Sequence, residues 1–149
     1  MIAIVAYFGL DDLFGHDVNL HQNANRHMIV GSVARIAGAP IHADPIAWSA
    51  ANLNVQMTNR NAASLIQTQE AIAIVMALYE RRTNTNVGQI VIRDTQAIAG
   101  MNLDPRYRQA VSAAFEIGII TNRNINPQGS ITIGEFLDML SQFSQRVRV

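Results

Sequence analysis

Apolar residues recur at helical spacing most cleanly between residues 104 and 143. Val111, Ala114, Phe115 and Ile117 fall mostly on one face of a helix, and Phe136, Met139, Leu140 and Phe143 on one face of a second. The punctuation agrees with this period. Asp104-Pro105 is a start signal, because the carboxylate can accept from first-turn amides and proline lacks only an N–H that a first turn leaves unbonded. Gly118 supplies a residue able to take the left-handed conformation that ends a helix. Thr132 and Glu135 have the Thr-x-x-Glu spacing of a capping box, which opens the second helix. The turn-forming stretch between them is predicted to dip into the core at Ile125.

One such hairpin cannot bury two apolar stripes, so a repeat is expected, and the chain has one. Asp44-Pro45 again opens a helix, carrying Ala47, Trp48, Ala51 and Leu53, and Thr58-Asn59-Arg60-Asn61 repeats Thr121-Asn122-Arg123-Asn124 letter for letter. Ala71, Ile74, Val75 and Leu78 then match Phe136, Met139, Leu140 and Phe143. A poorer third copy runs from a helix over 2–8, stopped by Gly9, through a loop over 11–24 to Asn25 as cap of a helix with Ile29, Val33 and Ile36. It lacks the Asp-Pro opening, which points to a short first helix or to a chain that begins partway into a repeat. The expected fold is mainly all-α: a single domain over 1–149, repeats at about 1–38, 44–80 and 94–143, and a tail over 144–149. Helices beginning near Asn25, Thr68 and Thr132 are expected to pack about a pseudo-threefold axis and bury Ile29, Val33, Val75, Leu78, Phe136 and Leu140. Residues 89–92 are the one run with strand character, an extended segment along the bundle. Asp94 is read as the cap of a short helix to Ala99, Glu80-Arg81-Arg82 as a solvated helix end, and the Arg/Val tail as frayed or an edge strand.

Composition narrows the function classes. A chain of 149 residues that is 49% hydrophobic can bury a proper core. Its formal net charge of zero argues against nucleic acid, since phosphate binding needs a basic field. Without cysteine, neither disulfides nor thiolate metal sites nor thiol nucleophiles arise. The apolar stretch 1–10 has no basic region before it and is too short to span a bilayer, so no membrane insertion is expected. Asp11, Asp12, His16, Asp17 and His21 concentrate the potential metal ligands but miss the spacing of a calcium loop; they read as solvated and capping residues, with no metal or cofactor. His42 is assigned to the surface or to packing, and Trp48 to packing rather than sugar stacking. No histidine lies near a nucleophile and acid in sequence, and Glu116 and Glu135 have structural explanations, so no enzyme is expected.

The segment Ala110-Val111-Ser112-Ala113-Ala114-Phe115-Glu116-Ile117-Gly118-Ile119-Ile120, the loop ending in Pro127, and Ser130-Ile131-Thr132-Ile133-Gly134-Glu135-Phe136 resemble a repeat of the S-layer homology domain. Ile92-Arg93-Asp94 stands where that family has an aromatic, any residue, and Asp. The resemblance implies three helical repeats in a pseudo-threefold cluster on a bacterial surface protein, extracellular, holding it to the cell wall through secondary cell-wall polysaccharide bound in grooves between repeats. It also implies a Thr-Arg-Ala-Glu-like motif opening each second helix, whose Arg meets the anionic polymer beside a helix N-terminus. Here Asn25-Arg26-His27-Met28 keeps the Arg, Gln67-Thr68-Gln69-Glu70 the Glu, and Thr132-Ile133-Gly134-Glu135 the Thr and Glu, while the family's early aromatic lies nearer Tyr107 than Trp48. The candidate ligand-binding residues are therefore Arg26, which an anchor needs accessible, and Tyr107. Arg60 and Arg123 join them from the repeated loop, where the alternative is that Asn sets the turn and the arginines pair internally. Two functions stay open: a non-catalytic anchor on cell-wall polysaccharide, or a structural component of a surface layer, appendage or virion that keeps the fold, gives up the polymer, and binds protein subunits or copies of itself as a homo-oligomer.

Overall fold

Seven α-helices and two 3-10 turns form among the described residues, which are 3–15 and 17–147 of this computed structural model; no strand is present there. Ile2, His16 and the last two residues of the tail lie outside the described residues. The helices are α1 (Ala3–Phe8), α2 (Asp11–Phe14), α3 (Arg26–Ile36), α4 (Pro45–Asn52), α5 (Thr68–Thr83), α6 (Pro105–Ile117) and α7 (Ile133–Arg146). Their ends follow from local chemistry. Asp44 and Asp104 accept from the amides of Ile46 and Arg106 at 3.1 and 2.9 Å, each with proline in the first turn. Asn25 accepts from Met28 N at 2.9 Å. Thr132 and Glu135 exchange both bonds of the capping box, at 2.9 and 3.1 Å. Gly118 ends α6 at φ 81, and a Cβ there would stand 2.6 Å from a guanidinium nitrogen of Arg146.

α4 packs on α3 and α6 on α5, each on the long helix of the segment before it, while α1 packs on α7 of the last segment, where the Phe8 and Phe143 rings lie 6.5 Å apart. Of the long helices, α5 touches both α3 and α7. Thr68 to Leu78 is buried without interruption, and from Ala71 onward that stretch is apolar on every face. Ile29, Val33, Val75, Leu78, Phe136 and Leu140 are each 0% exposed.

Extended residues ahead of the three long helices pair in a closed cycle, through the isolated antiparallel bridges Asn23 with Thr132, Asn25 with Leu65, and Gln67 with Ser130. Side chains alternate along extended backbone, so Ala24, Ile66 and Ile131 point inward and are buried, while Asn23, Leu65 and Ser130 are exposed. The loops leading in are built alike. Asn19, Asn61 and Asn126 each accept on Oδ1 from the amide two residues on, at 3.0, 3.0 and 3.2 Å, and on the carbonyl from the amide three residues on, at 3.1 Å in each case.

Several boundaries differ from expectation. Residues 89–92 pair in no strand: Gln89 closes a 3-10 turn that begins at Val87, Ile90 after it is extended, and the Gln109 side chain donates to the carbonyls of Val87 and Ile90 at 3.2 and 3.1 Å. Asp94 does cap a short helix, a 3-10 turn over Thr95–Ile98. The tail neither frays nor pairs as a strand through Arg146, because α7 continues to that residue, whose guanidinium donates to Ile117 O at 2.6 Å. Glu80-Arg81-Arg82 does form a helix end, with both arginines exposed, and α5 closes after Thr83 at Asn84 in the left-handed region.

Candidate functional site

Arg26 stands at the first position of α3, and the structure corrects its sequence-based role. Its side chain is 1% exposed and that of its partner Glu70 is fully covered. The guanidinium forks onto the carboxylate, Nη1 to Oε2 at 2.5 Å and Nη2 to Oε1 at 3.1 Å, and donates further to Thr58 Oγ1 at 3.1 Å and Ser64 Oγ at 3.2 Å. Glu70 also accepts from Thr58 N and Oγ1 at 2.9 and 2.8 Å. A buried guanidinium needs a planar double acceptor, and this one has it within the chain. The accessible position expected for a polymer ligand is not what Arg26 occupies.

The positive pole of each long helix is closed in the same way. Arg26 N and His27 N donate to Ser64 O and Ala62 O, Thr68 N and Gln69 N to Gly129 O and Pro127 O, and Ile133 N and Gly134 N to Gln22 O and Leu20 O, all at 2.8 to 2.9 Å. At Gly134 an added Cβ would lie 3.0 Å from Leu20 O, so that junction fits glycine closely. These amides would otherwise be the donors for an anion.

The other candidates fall apart from one another. Tyr107 is 1% exposed, a wall residue rather than a surface contact, with its hydroxyl donating to Gln56 O at 2.8 Å. Burial, and then the charge of Glu70, push its phenol up to about 12. Arg123 is half exposed and paired with Asp94, whose own amide, with that of Arg93, donates to Glu116. Arg60 is exposed and donates no hydrogen bond among the described residues. The equivalent Asn59 and Asn122 both accept from the amide two residues on, at 2.9 Å, so the shared letters of the loop set a shared turn. Trp48 is half-buried with Arg81 stacked 5.2 Å from its ring. Asp12 pairs with Arg35, whose hydrogen bond holds the carboxyl below its usual range. Among the described residues no three His, Cys, Asp or Glu side chains converge as a metal site.

An open cavity of about 370 Å³ lies between the start of α5 and the outer side of α7. Thr68, Thr121, Asn122, Glu135, Asp138 and Gln142 supply its polar groups, and Ile72, Ile119, Ile120, Ile125, Ile131 and Met139 its apolar wall. Glu135 and Asp138 lie three residues apart on α7, hence on one side of it, and both are exposed. None of Arg26, Arg60, Arg123 and Tyr107 lines it. The signal that could have found it was the motif register itself, where Thr68 replaces an arginine while Glu135 keeps the carboxylate. Among the described residues no helix is long and apolar enough to cross a membrane. Compared with known proteins, the chain matches no family model and no curated sequence.

Proposed function

We propose that this chain is a non-catalytic assembly module, a component of a surface layer, appendage or virion, which keeps a three-repeat frame of the S-layer homology kind and engages protein subunits instead of wall polymer. The observation that carries this reading is the internal pairing of Arg26 with Glu70, which removes the one arginine that the family's polymer site uses. The three closed helix poles point the same way, as does the open cavity, whose charged groups are carboxylates that repel an anionic polymer. The threefold recurrence of the Asn turn, the inward apolar residue and the paired helix-start amides supports the proposed frame. Against catalysis, the cavity wall carries no histidine, and a general acid needs a carboxyl shielded from water, whereas Glu135 and Asp138 are exposed.

The test is retention of the protein on wall sacculi with and without their attached polysaccharide, beside sedimentation of the protein over a concentration range. The assembly reading expects no polymer-dependent retention, and association with copies of itself or a partner through about 1,000 Å² or more of buried surface. Polymer-dependent retention would overturn it. Anchorage keeps one observation in its favour, the guanidinium of Arg60, exposed and unpaired among the described residues, and would then show as loss of that retention in Arg60→Ala.

A further inference from the structure

The chain contains its own precedent for what the open cavity takes. At the start of α3, Arg26 reaches across to Glu70, the third residue of α5, beside Thr58 at the head of the repeated loop. One segment later the frame recurs with Thr68 in the place of Arg26, Glu135 in the place of Glu70 and Thr121 in the place of Thr58. The backbone bonds that set this frame match: Arg26 N to Ser64 O and Thr68 N to Gly129 O are both 2.8 Å, and His27 N to Ala62 O and Gln69 N to Pro127 O both 2.9 Å. The filling differs. Thr68 is short and turns its hydroxyl to Gly129 O at 3.0 Å, so among the described residues no cation lines the cavity.

We propose that this cavity receives the side chain of an arginine carried on a peptide segment of a partner protein, completing from outside the contact that Arg26 makes from inside. The inference rests on the assembly reading above. Charge supports it: among the described residues Glu135 gives Oε1 to Thr132 N and leaves Oε2 unbonded, and Asp138 adds a second carboxylate with no cation lining the cavity. Shape supports it too. Ile72, Ile120 and Ile125 offer an apolar wall to the methylene stem, and about 370 Å³ lies within the usual range of about 300 to 1,000 Å³ for ligand sites. A guanidinium suits the place better than an ammonium because its planar fork can meet a carboxylate with two parallel donors, as Arg26 does at 2.5 and 3.1 Å.

The experiment is an NMR titration of the whole chain with a terminally blocked Ala-Arg-Ala peptide, beside the same peptide carrying citrulline, which has the same shape and no charge. Saturable shifts are expected at the amides of Thr68, Thr121, Asn122 and Asp138 with arginine, and none with citrulline. Glu135→Gln with Asp138→Asn should weaken binding about tenfold or more, with folding retained because glutamine also completes a capping box. Thr68→Arg should abolish binding by filling the cavity from within and should raise the melting temperature. No saturable shift, an equal response to citrulline, or undiminished binding by the double variant would each overturn the proposal. Failure here with self-association intact removes the arginine site and leaves the assembly reading; polymer-dependent retention on sacculi removes the assembly reading and leaves the titration result as it stands.

Discussion

The junction of α3 with the second segment and the junction of α5 with the third are built on one backbone frame, yet one is sealed by a buried ion pair and the other is open. The two differ at Arg26 against Thr68, opposite a glutamate that both junctions keep, and in the loop before that glutamate, where Thr58 bonds Glu70 and Thr121 makes no such bond to Glu135 among the described residues. Where the arginine is present, it and its glutamate are withdrawn from solvent and bind the segments together. Where it is absent, the glutamate turns to its own helix start and caps it. The same residue type thus serves cohesion between segments in one place and local helix initiation in the other, and the consequences for stability should differ accordingly.

The largest expected effect breaks the sealed junction. Glu70→Ala leaves the Arg26 guanidinium buried without its counter-charge and should cost about 3 to 5 kcal/mol in denaturant unfolding. Glu135→Ala, at the matching place, removes only one side of a capping box and should cost about 0.5 to 2 kcal/mol. Equal costs would show that the two junctions are not the contrast described. Replacing both partners, Arg26→Met with Glu70→Leu, should be neutral or stabilising by about 1 to 4 kcal/mol, since it removes two desolvated charges together. A large loss instead would mean that the bonds of Glu70 to Thr58 carry the junction.

A third test uses pH. Tyr107 lies near Glu70, and its phenol is raised from 10.0 to about 12. Between those values the unfolded chain releases the proton and the folded chain keeps it, so stability present below pH 10 should fall as pH rises toward 12. Tyr107→Phe should flatten that part of the profile, and Glu70→Gln should narrow it by removing the second cause of the shift. A profile unchanged in Tyr107→Phe would assign the alkaline loss elsewhere. The smallest effect concerns a buried polar group with no partner, in contrast to the saturated Arg26. Ser49 Oγ is buried and accepts or donates no bond among the described residues, so Ser49→Ala should gain about 1 kcal/mol in thermal or denaturant unfolding.

Helix starts and stops were legible because they depend on neighbours in sequence: Asp44-Pro45, Asp104-Pro105, Gly118 and the Thr132–Glu135 box act within one turn. The buried apolar positions were legible through period and register. What stayed hidden was the direction of the Arg26 side chain. Its partner lies 44 residues away, and nothing local distinguishes a guanidinium that faces solvent from one that faces a glutamate on another helix. For the same reason Arg60 and Arg123 looked equivalent within identical tetrapeptides, although Asp94 binds only the second. Gln89-Ile90-Val91-Ile92 had the composition of a strand but no partner strand among the described residues, and Gln109 took the carbonyl of Ile90. The cavity was visible only as a missing letter, Thr68 in an arginine's place.

The backbone pairing of Asn23 with Thr132 and the packing of α1 on α7 join the first segment to the third. Helical proteins usually fold quickly because their contacts are local; here the cycle completes only when residues more than a hundred positions apart meet, and the loop entropy of that meeting is paid before its bonds form. The chain should therefore have the folding rate of a protein with high contact order, closer to a mixed α/β domain than to a bundle of the same helix content.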